Sequence, residues 1–403
     1  MKNLKARGAK VLASVLGKYF DDFEIKGGKN GYLIGVDGKK YLDFATGIAC
    51  TVIGHCHPKV SAAIKKQANT LLHTCIGVAY YEPYVKLAEE LQKISPIKKA
   101  QSFLCQSGTE AVEAAIKLAK YTTKNPGIIA IKGGFHGRTL GALSATTSKM
   151  KYRDGYEPLL PEVFIAEQNL ESVAEIFKTY QGKIAGLIVE PILGEGGYLI
   201  LPTEFLIGLR QLCSENNALL IFDEVQTGIG HTGKWFACQH FGIVPDVITF
   251  AKGIASGLPL GGILASAEVM AKWSPGAHGS TFGGNPVCCA AAIATLDVIK
   301  QEKLLQNATK LGAYMKSKLV GLQSKHPKLI KDVRGVGLMI GVDFGDSAVV
   351  KKILNYCLEK GLVLISTGGD GTVIRFVPPL IVKKKEIDQA LKIFEATIAD
   401  INS

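Results

Sequence analysis

Two polar side chains stand where apolar runs stop. Ala218 to Phe222 closes on Asp223, and Val247 to Phe250 runs through Ala251 into Lys252, 29 residues after the aspartate. A lysine at the end of an apolar strand is partly desolvated, which favours its neutral amine. A neutral amine is what condensation with a carbonyl requires. An aspartate can keep a ring nitrogen protonated. Taken alone, a strand-end lysine is more simply a surface residue, so the weight falls on what converges with it.

The elements around the pair do converge. Val247 to Phe250 is rich in β-branched and aromatic residues and runs into a glycine-rich loop, Gly253 to Gly262, which reads as a strand followed by a turn. Ser102 to Cys105 is another short strand, followed by Ser107-Gly108-Thr109-Glu110. Val112, Ala115, Ile116 and Ala119 then keep the spacing of one helix face. Ser107 with Glu110 has the capping-box pattern, so the helix start offers free amides, two hydroxyls and a positive dipole end, suited to a phosphate. Ile128 to Ile131 leads into Gly133 to Thr139, where Phe135 could stack on a planar ring and Arg138 could bind a carboxylate. Ile184 to Val189 ends in Glu190-Pro191, with Gly194-Glu195-Gly196-Gly197 beyond it.

Apolar strands without alternation, separated by helices, imply a parallel sheet covered on both faces. Chemistry in such sheets collects at the carboxyl ends of the strands. Ser107, Arg138, Glu195, Asp223 and Lys252 all sit there, and five together are more specific than any one. The set suits an aldehyde-carrying pyridine cofactor. The lysine would form the imine, the aspartate would protonate the ring nitrogen, the helix start would take a phosphate, and Phe135 and Val225 would cover the ring faces.

The rest of the chain sets bounds. Its 403 residues are ample for two or three domains, and 47% hydrophobic with 20% charged residues is ordinary for a globular enzyme. The net charge of +12 is scattered without interleaved aromatics, which argues against a nucleic-acid surface and for anionic small molecules. Nine cysteines, an odd number with no Cys-x-x-Cys, indicate reduced thiols in a cytoplasmic protein. His55-Cys56-His57 reads as a tight loop closed by Pro58, so no metal site is expected. The run Val11 to Leu16 is too short for a signal core, and Met1 to Lys18 reads as an amphipathic first helix. No stretch approaches the ~20 apolar residues that cross a membrane. Leu33 to Val36 and Lys40 to Phe44 flank Asp37-Gly38 as a hairpin, and Val333 to Val342 reads as one strand of a second, smaller sheet.

Eight motifs in order across nearly the whole chain carry a resemblance. They are Gly54 to Pro58, Ser107 to Glu110, Phe135 to Thr139, Glu190 to Glu195, Asp223 to Gly228, Ala251-Lys252-Gly253, Ser280 to Pro286 and Arg375-Phe376. On these the chain resembles the class III (ω-amino acid) aminotransferases, close to the 4-aminobutyrate and acetylornithine enzymes. The resemblance implies an α/β chain of the fold-type I pyridoxal-phosphate-dependent transferases. A large domain at 46–295 would hold a mostly parallel seven-stranded sheet. A smaller α+β domain would cover 296–403, joined by the N-terminal segment 1–45.

It also implies roles. Lys252 would be the Schiff-base lysine and proton carrier, Asp223 would pair with the pyridine nitrogen, and Gln226 with the ring's phenolic oxygen. Ser107, Gly108 and Thr109 would hold the phosphate of pyridoxal 5'-phosphate, with Phe135, His136, Glu190 and Val225 completing the cofactor site. Thr281 would reach the phosphate of the neighbouring subunit, making a homodimer with shared sites. Arg138 would bind the carboxylate far from the reacting amine, and Arg375 the α-carboxylate of glutamate or 2-oxoglutarate. Glu195 would neutralise Arg375 when an ω-amino donor is bound. The implied reaction moves an amino group from an ω-amino acid, with 4-aminobutyrate first and acetylornithine or ornithine as the alternative, to 2-oxoglutarate. An aminomutase or racemase on the same fold is the remaining rival. One residue departs from the family pattern: His231 stands where the family turn usually has arginine, read here as a change in loop packing.

Overall fold

A computed structural model describes residues 4–402; the outermost limits of the expected domains, 1 and 403, fall outside it. The chain opens with a five-residue helix, Leu4–Gly8, that buries nothing. Val11, Leu12, Val15 and Leu16 follow as exposed, non-helical chain. Within the described residues the amphipathic helix expected over Met1 to Lys18 is therefore corrected: only Leu4–Gly8 is helical, the apolar side chains after it stay exposed, and an apolar face that buries nothing does not hold a helix; residues 1–3 lie outside the described residues.

Strands β1 (Ile25–Lys29), β2 (Tyr32–Gly35) and β3 (Lys40–Asp43) form the antiparallel ribbon expected around Asp37-Gly38. Next come β4 (Ala100–Cys105), β5 (Gly127–Ile131), β6 (Val163–Ala166) and β7 (Ile184–Val189). A small hairpin, β8 (Ile192–Leu193) with β9 (Leu199–Ile200), precedes β10 (Leu219–Asp223), β11 (Val247–Phe250) and β12 (Gly261–Ser266). The central seven-stranded sheet runs β4-β12-β11-β10-β7-β5-β6. Only β12 is antiparallel to its neighbours; the remaining pairs are parallel. Every residue of β5, β7 and β11 is buried, which is why these strands read as unbroken apolar runs.

The helix Gly108–Thr123 follows β4 and presents Ala111, Val112, Ala115 and Ala119 to the sheet. Long helices Pro286–Gln301 and Leu304–Lys325 lead out of the large sheet region. Beyond them, β13 (Asp332–Val336) and β14 (Met339–Asp343) form an antiparallel hairpin. The single strand expected over Val333 to Val342 is thus two, because Gly337 takes φ +59° and turns the chain. After β15 (Leu362–Val363), the strands β16 (Ile365–Thr367) and β17 (Val373–Phe376) complete the order β13-β14-β17-β16. β15 itself pairs parallel with β3, so N-terminal chain and C-terminal chain share one small sheet. His231 is fully buried beside the hairpin, and its carbonyl accepts the amide of Leu338.

Candidate active site

The carboxyl ends of β4, β5, β7, β10 and β11 open onto one cavity of about 420 Å³. Ser107, Gly108, Thr109, Phe135, His136, Arg138, Glu190, Glu195, Asp223, Val225, Gln226 and Lys252 all line it. Sequence separations of up to 145 residues collapse here because parallel strands end on the same edge.

Lys252 is partly buried and lines the cavity. Burial lowers its ammonium below the usual lysine range and Arg375 adds to this, against the opposing pull of Glu195. Its backbone takes φ +47°, a left-handed value that an L residue holds only when its surroundings enforce it. The residue leaves β11 and starts a short 3-10 turn, Lys252–Ala255.

Asp223 is fixed from three sides. Its Oδ1 accepts the hydroxyl of Thr249 at 2.8 Å and the amide of Val225 at 3.1 Å. Its Oδ2 lies 2.7 Å from Nδ1 of His136. Burial opposes charge on that imidazole, but the hydrogen bond and charge of Asp223 prevail and hold it above the usual histidine range. Glu190 accepts the amides of Phe135 and Gly194, which ties the β5 loop to the β7 loop. Burial pushes its carboxyl up to about 7, with the His136 charge opposing.

The helix start is built as its sequence predicts. Ser107 Oγ caps the amide of Glu110 and donates to the Glu110 carboxylate at 2.9 Å. The amides of Gly108 and Thr109, in the first turn, have no intrahelical acceptor. A Cβ on Gly108 would sit 2.7 Å from a Val225 methyl, so only glycine lets this turn meet the β10 loop. The Thr109 hydroxyl is engaged with Thr139 at 2.8 Å, leaving the Thr109 amide as its free donor.

Arg375, on β17, is 1% exposed and donates to Glu195 at 2.6 Å. Burial would raise the Glu195 carboxyl, but Arg375 outweighs burial and holds it below the usual glutamate range. The second guanidinium nitrogen donates to the Tyr19 hydroxyl at 3.0 Å. Arg138 lies at the cavity's rim with its guanidinium 4.1 Å above the Tyr152 ring. Thr281 is exposed and lies outside the cavity of its own chain.

Several partners escaped sequence reasoning. Thr249 is hidden inside an apolar strand as an ordinary β-former. Tyr19 and Tyr152 carry no local signal at all, since their roles depend on contacts from distant chain. Cys50 also lines the cavity, beyond any motif of its own.

The residues fit pyridoxal phosphate on the structure's own terms. Buried Nε2 of His136 and Oε1 of Gln226 have no partner within the protein. Buried polar atoms in native proteins are almost always paired, so these two hold positions open to a bound group or water. A partly buried amine, a carboxylate fixed for a ring nitrogen, apolar walls from Phe135 and Val225, and a helix start for phosphate are the matching donors and acceptors.

Comparison with known proteins agrees. The aminotransferase class-III family profile matches residues 18–398. An acetylornithine aminotransferase of Methanocaldococcus jannaschii is 43% identical over 383 residues, covering 93% of each chain. A 5-aminovalerate aminotransferase of Pseudomonas putida is 40% identical, covering 93% of this chain and 92% of its own. Among solved structures, the ornithine aminotransferase of Toxoplasma gondii superposes with a TM-score of 0.92 at 29% identity, covering 99% and 95% of the two chains.

Proposed function

The chain belongs to the class-III aminotransferases, which depend on pyridoxal phosphate, and from that premise we propose that it transfers the amino group of an ω-amino acid to 2-oxoglutarate. The products are a semialdehyde and glutamate. The observation that carries this reading is the buried Arg375–Glu195 pair at 2.6 Å. A closed pair suits a donor with no carboxylate beside its amine. An opened pair frees Arg375 for the α-carboxylate of glutamate or 2-oxoglutarate, and charge-assisted bonds are strong enough to make that exchange selective.

The remaining roles follow from the same reading. When bound, pyridoxal phosphate supplies an electron-withdrawing ring that stabilises negative charge on the substrate carbon. Lys252 would hold the cofactor through its aldehyde carbon, and its Nζ, once displaced from that carbon by the substrate amine, would be free to take the proton from the carbon that bears that amine. Asp223, held by Thr249 and His136, keeps the ring nitrogen protonated, and Gln226 serves the phenolic oxygen. Ser107, Gly108 and Thr109 hold the phosphate. Glu190 keeps the Phe135 loop against the ring site. Arg138 takes the carboxylate remote from the amine.

4-Aminobutyrate, 5-aminovalerate and acetylornithine all present an ω-amine several carbons from a carboxylate, and the curated relatives include both linear and acylated donors. The acetylornithine reading has one further support. Arg138 also lines a second cavity, which would take a branch on the carbon beside the carboxylate. A homodimer belongs to this reading, with Thr281 serving the neighbouring site; so do the division of the chain at 46 and 296 and a cytoplasmic location, in keeping with nine free cysteines.

The test is a screen of 4-aminobutyrate, 5-aminovalerate, acetylornithine, ornithine, β-alanine, putrescine and lysine against 2-oxoglutarate. With donor alone, the cofactor's absorbance should change once and stop until the oxo acid is added. Turnover with no oxo acid present would overturn the reading in favour of an aminomutase or racemase.

A further inference from the structure

Arg375 has more donors than its bonds use. Nη1 is taken by Glu195 and Nη2 by Tyr19, while Nε is buried without an acceptor among the described residues. The Tyr198 hydroxyl is a second buried group without a partner, on a side chain with no exposed surface. The two are neighbours. The phenol lies within the charge and the hydrogen-bonding reach of the guanidinium, yet no bond of normal geometry joins them. An unpaired buried donor beside an unpaired buried acceptor is unfavourable, and a small movement that pairs them recovers the loss.

Local structure puts the hydroxyl there. Tyr198 closes the turn over 194–198 between β8 and β9, and its amide donates to the Leu193 carbonyl at 2.8 Å. Its backbone takes φ +58°, a left-handed value that a bulky residue keeps only when its surroundings hold it. The small sheet holds it. Arg334 Nε donates to the Gly197 carbonyl at 2.7 Å, the Thr367 hydroxyl to the Gly194 carbonyl at 2.9 Å, and the Gly368 amide to the Glu195 carbonyl at 3.0 Å. Gly341 faces Arg375 across the β14–β17 ladder, and a Cβ there would come 3.3 Å from the Tyr198 Cβ. Glycine at that position lets the tyrosine settle on the sheet beside Arg375. One turn therefore aims two side chains at one guanidinium, Glu195 with a charge and Tyr198 with a neutral hydroxyl. Burial holds the phenol well above the ordinary tyrosine range, with the Arg375 charge opposing, so it keeps its proton.

We propose that Tyr198 is the partner of Arg375 in the open state of the pair: once Glu195 withdraws, the guanidinium turns Nε–H onto the Tyr198 oxygen and is held there, with Tyr19, to receive the α-carboxylate. The proposal rests on the gating reading of the Arg375–Glu195 pair and adds what stabilises its open form. With the pair closed, the bond from Nη1 to Glu195 fixes the guanidinium and leaves the hydroxyl idle. A two-state element shifts by the difference between its contacts in the two states, and this hydroxyl counts in the open one alone. Tyr198 is thus a positioning residue. It lies outside the wall of the Lys252 cavity and acts through Arg375.

The experiment is a pair of single-turnover half-reactions of the cofactor-loaded enzyme, one with glutamate alone and one with the ω-amino donor alone. Tyr198→Phe keeps the ring and removes the oxygen. Its kcat/KM for glutamate should fall by about ten-fold, the loss residing in KM, as expected for one hydrogen bond to a charged group. The value for the ω-amino donor should stay within about two-fold, because the closed pair does not use the hydroxyl. The ratio of ω-amino donor over glutamate therefore rises, the opposite sign to the fall that removing the Glu195 charge should give. Tm without substrate should not drop, since an unpaired buried hydroxyl adds nothing to the closed form. A merely structural role would instead lower Tm and both half-reactions together. If Tyr198→Phe does not fold, Tyr198→Met reports the same ratio. A ratio that rises less than about three-fold, or equal losses for both substrates, overturns the inference. If Glu195→Gln still moves the ratio in that case, the gating reading stands without Tyr198; if Glu195→Gln leaves it unmoved as well, both fail.

Discussion

Replacing Glu195 with glutamine separates the two halves of the reaction. The carboxylate bonds Arg375 at 2.6 Å, with the side chains 13% and 1% exposed, so little solvent screens the pair. Two unit charges with centres about 4 Å apart attract by about 4 kcal/mol at an effective dielectric of 20. After desolvation, a hydrogen bond to a charged group retains ~1.5–3 kcal/mol. On the proposed reading, glutamate displaces Glu195 to reach Arg375, whereas an ω-amino donor needs the pair closed. Glu195→Gln lowers the first barrier and leaves Arg375 uncompensated for the second. The ratio of kcat/KM for ω-amino donor over glutamate should therefore fall by ~10–100-fold. Single-turnover half-reactions, followed by the bound cofactor's absorbance with each donor alone, measure both terms. A ratio that moves less than about three-fold, or equal losses for both substrates, would refute the gating role. Stability supplies an independent sign. Because the folded Glu195 carboxyl titrates below its usual range, its contribution is full above the unfolded value and is lost as pH falls through the folded one. The glutamine variant should lack that part of the acid loss.

Lys252→Ala should abolish the absorbance of lysine-bound cofactor and lower kcat by at least ~10²–10⁴-fold, since no other lysine lines the inner cavity among the described residues; a retained band would assign the anchor elsewhere. His231 is buried with its pKa lowered to about 4 by burial, with the Lys252 charge adding to it. The unfolded chain then binds more protons between the ordinary histidine value and about 4, so stability falls as pH drops through that window. His231→Asn should remove about 2 kcal/mol of the loss between pH 7 and 5, read from denaturant midpoints at each pH; parallel curves for the two proteins would defeat this assignment. Gly312, in the helix Leu304–Lys325, faces the Gly337 carbonyl more closely than any Cβ tolerates. Gly312→Ala should lower Tm by an amount matching ~1–3 kcal/mol despite alanine's better helix propensity, and a raised Tm would show the hairpin turn yields freely.

What the sequence revealed, and what it concealed, follows from the range of the interactions. The ends of β5, β7, β10 and β11 were legible because strands buried on both faces are nearly all apolar, with Thr249 inside β11 the exception, and the first charged residue beyond the run marks the end. The Ser107 cap was legible because its partner is three residues away. The Tyr19–Arg375 bond spans 356 residues, and nothing local announces it. β12 was missed for a different reason. Gly261 and Gly262 read as the tail of a loop, yet they lie within the sheet, where a Cβ would strike the carbonyl oxygens of Ser107 and Phe103. Glycine inside a strand marks close backbone approach as well as turns. Here that approach brings the antiparallel strand against β4 just where the phosphate-ready helix begins. The same two glycines that disguise the strand let it pack against the site, so the local rule failed at the place where function required it to be broken.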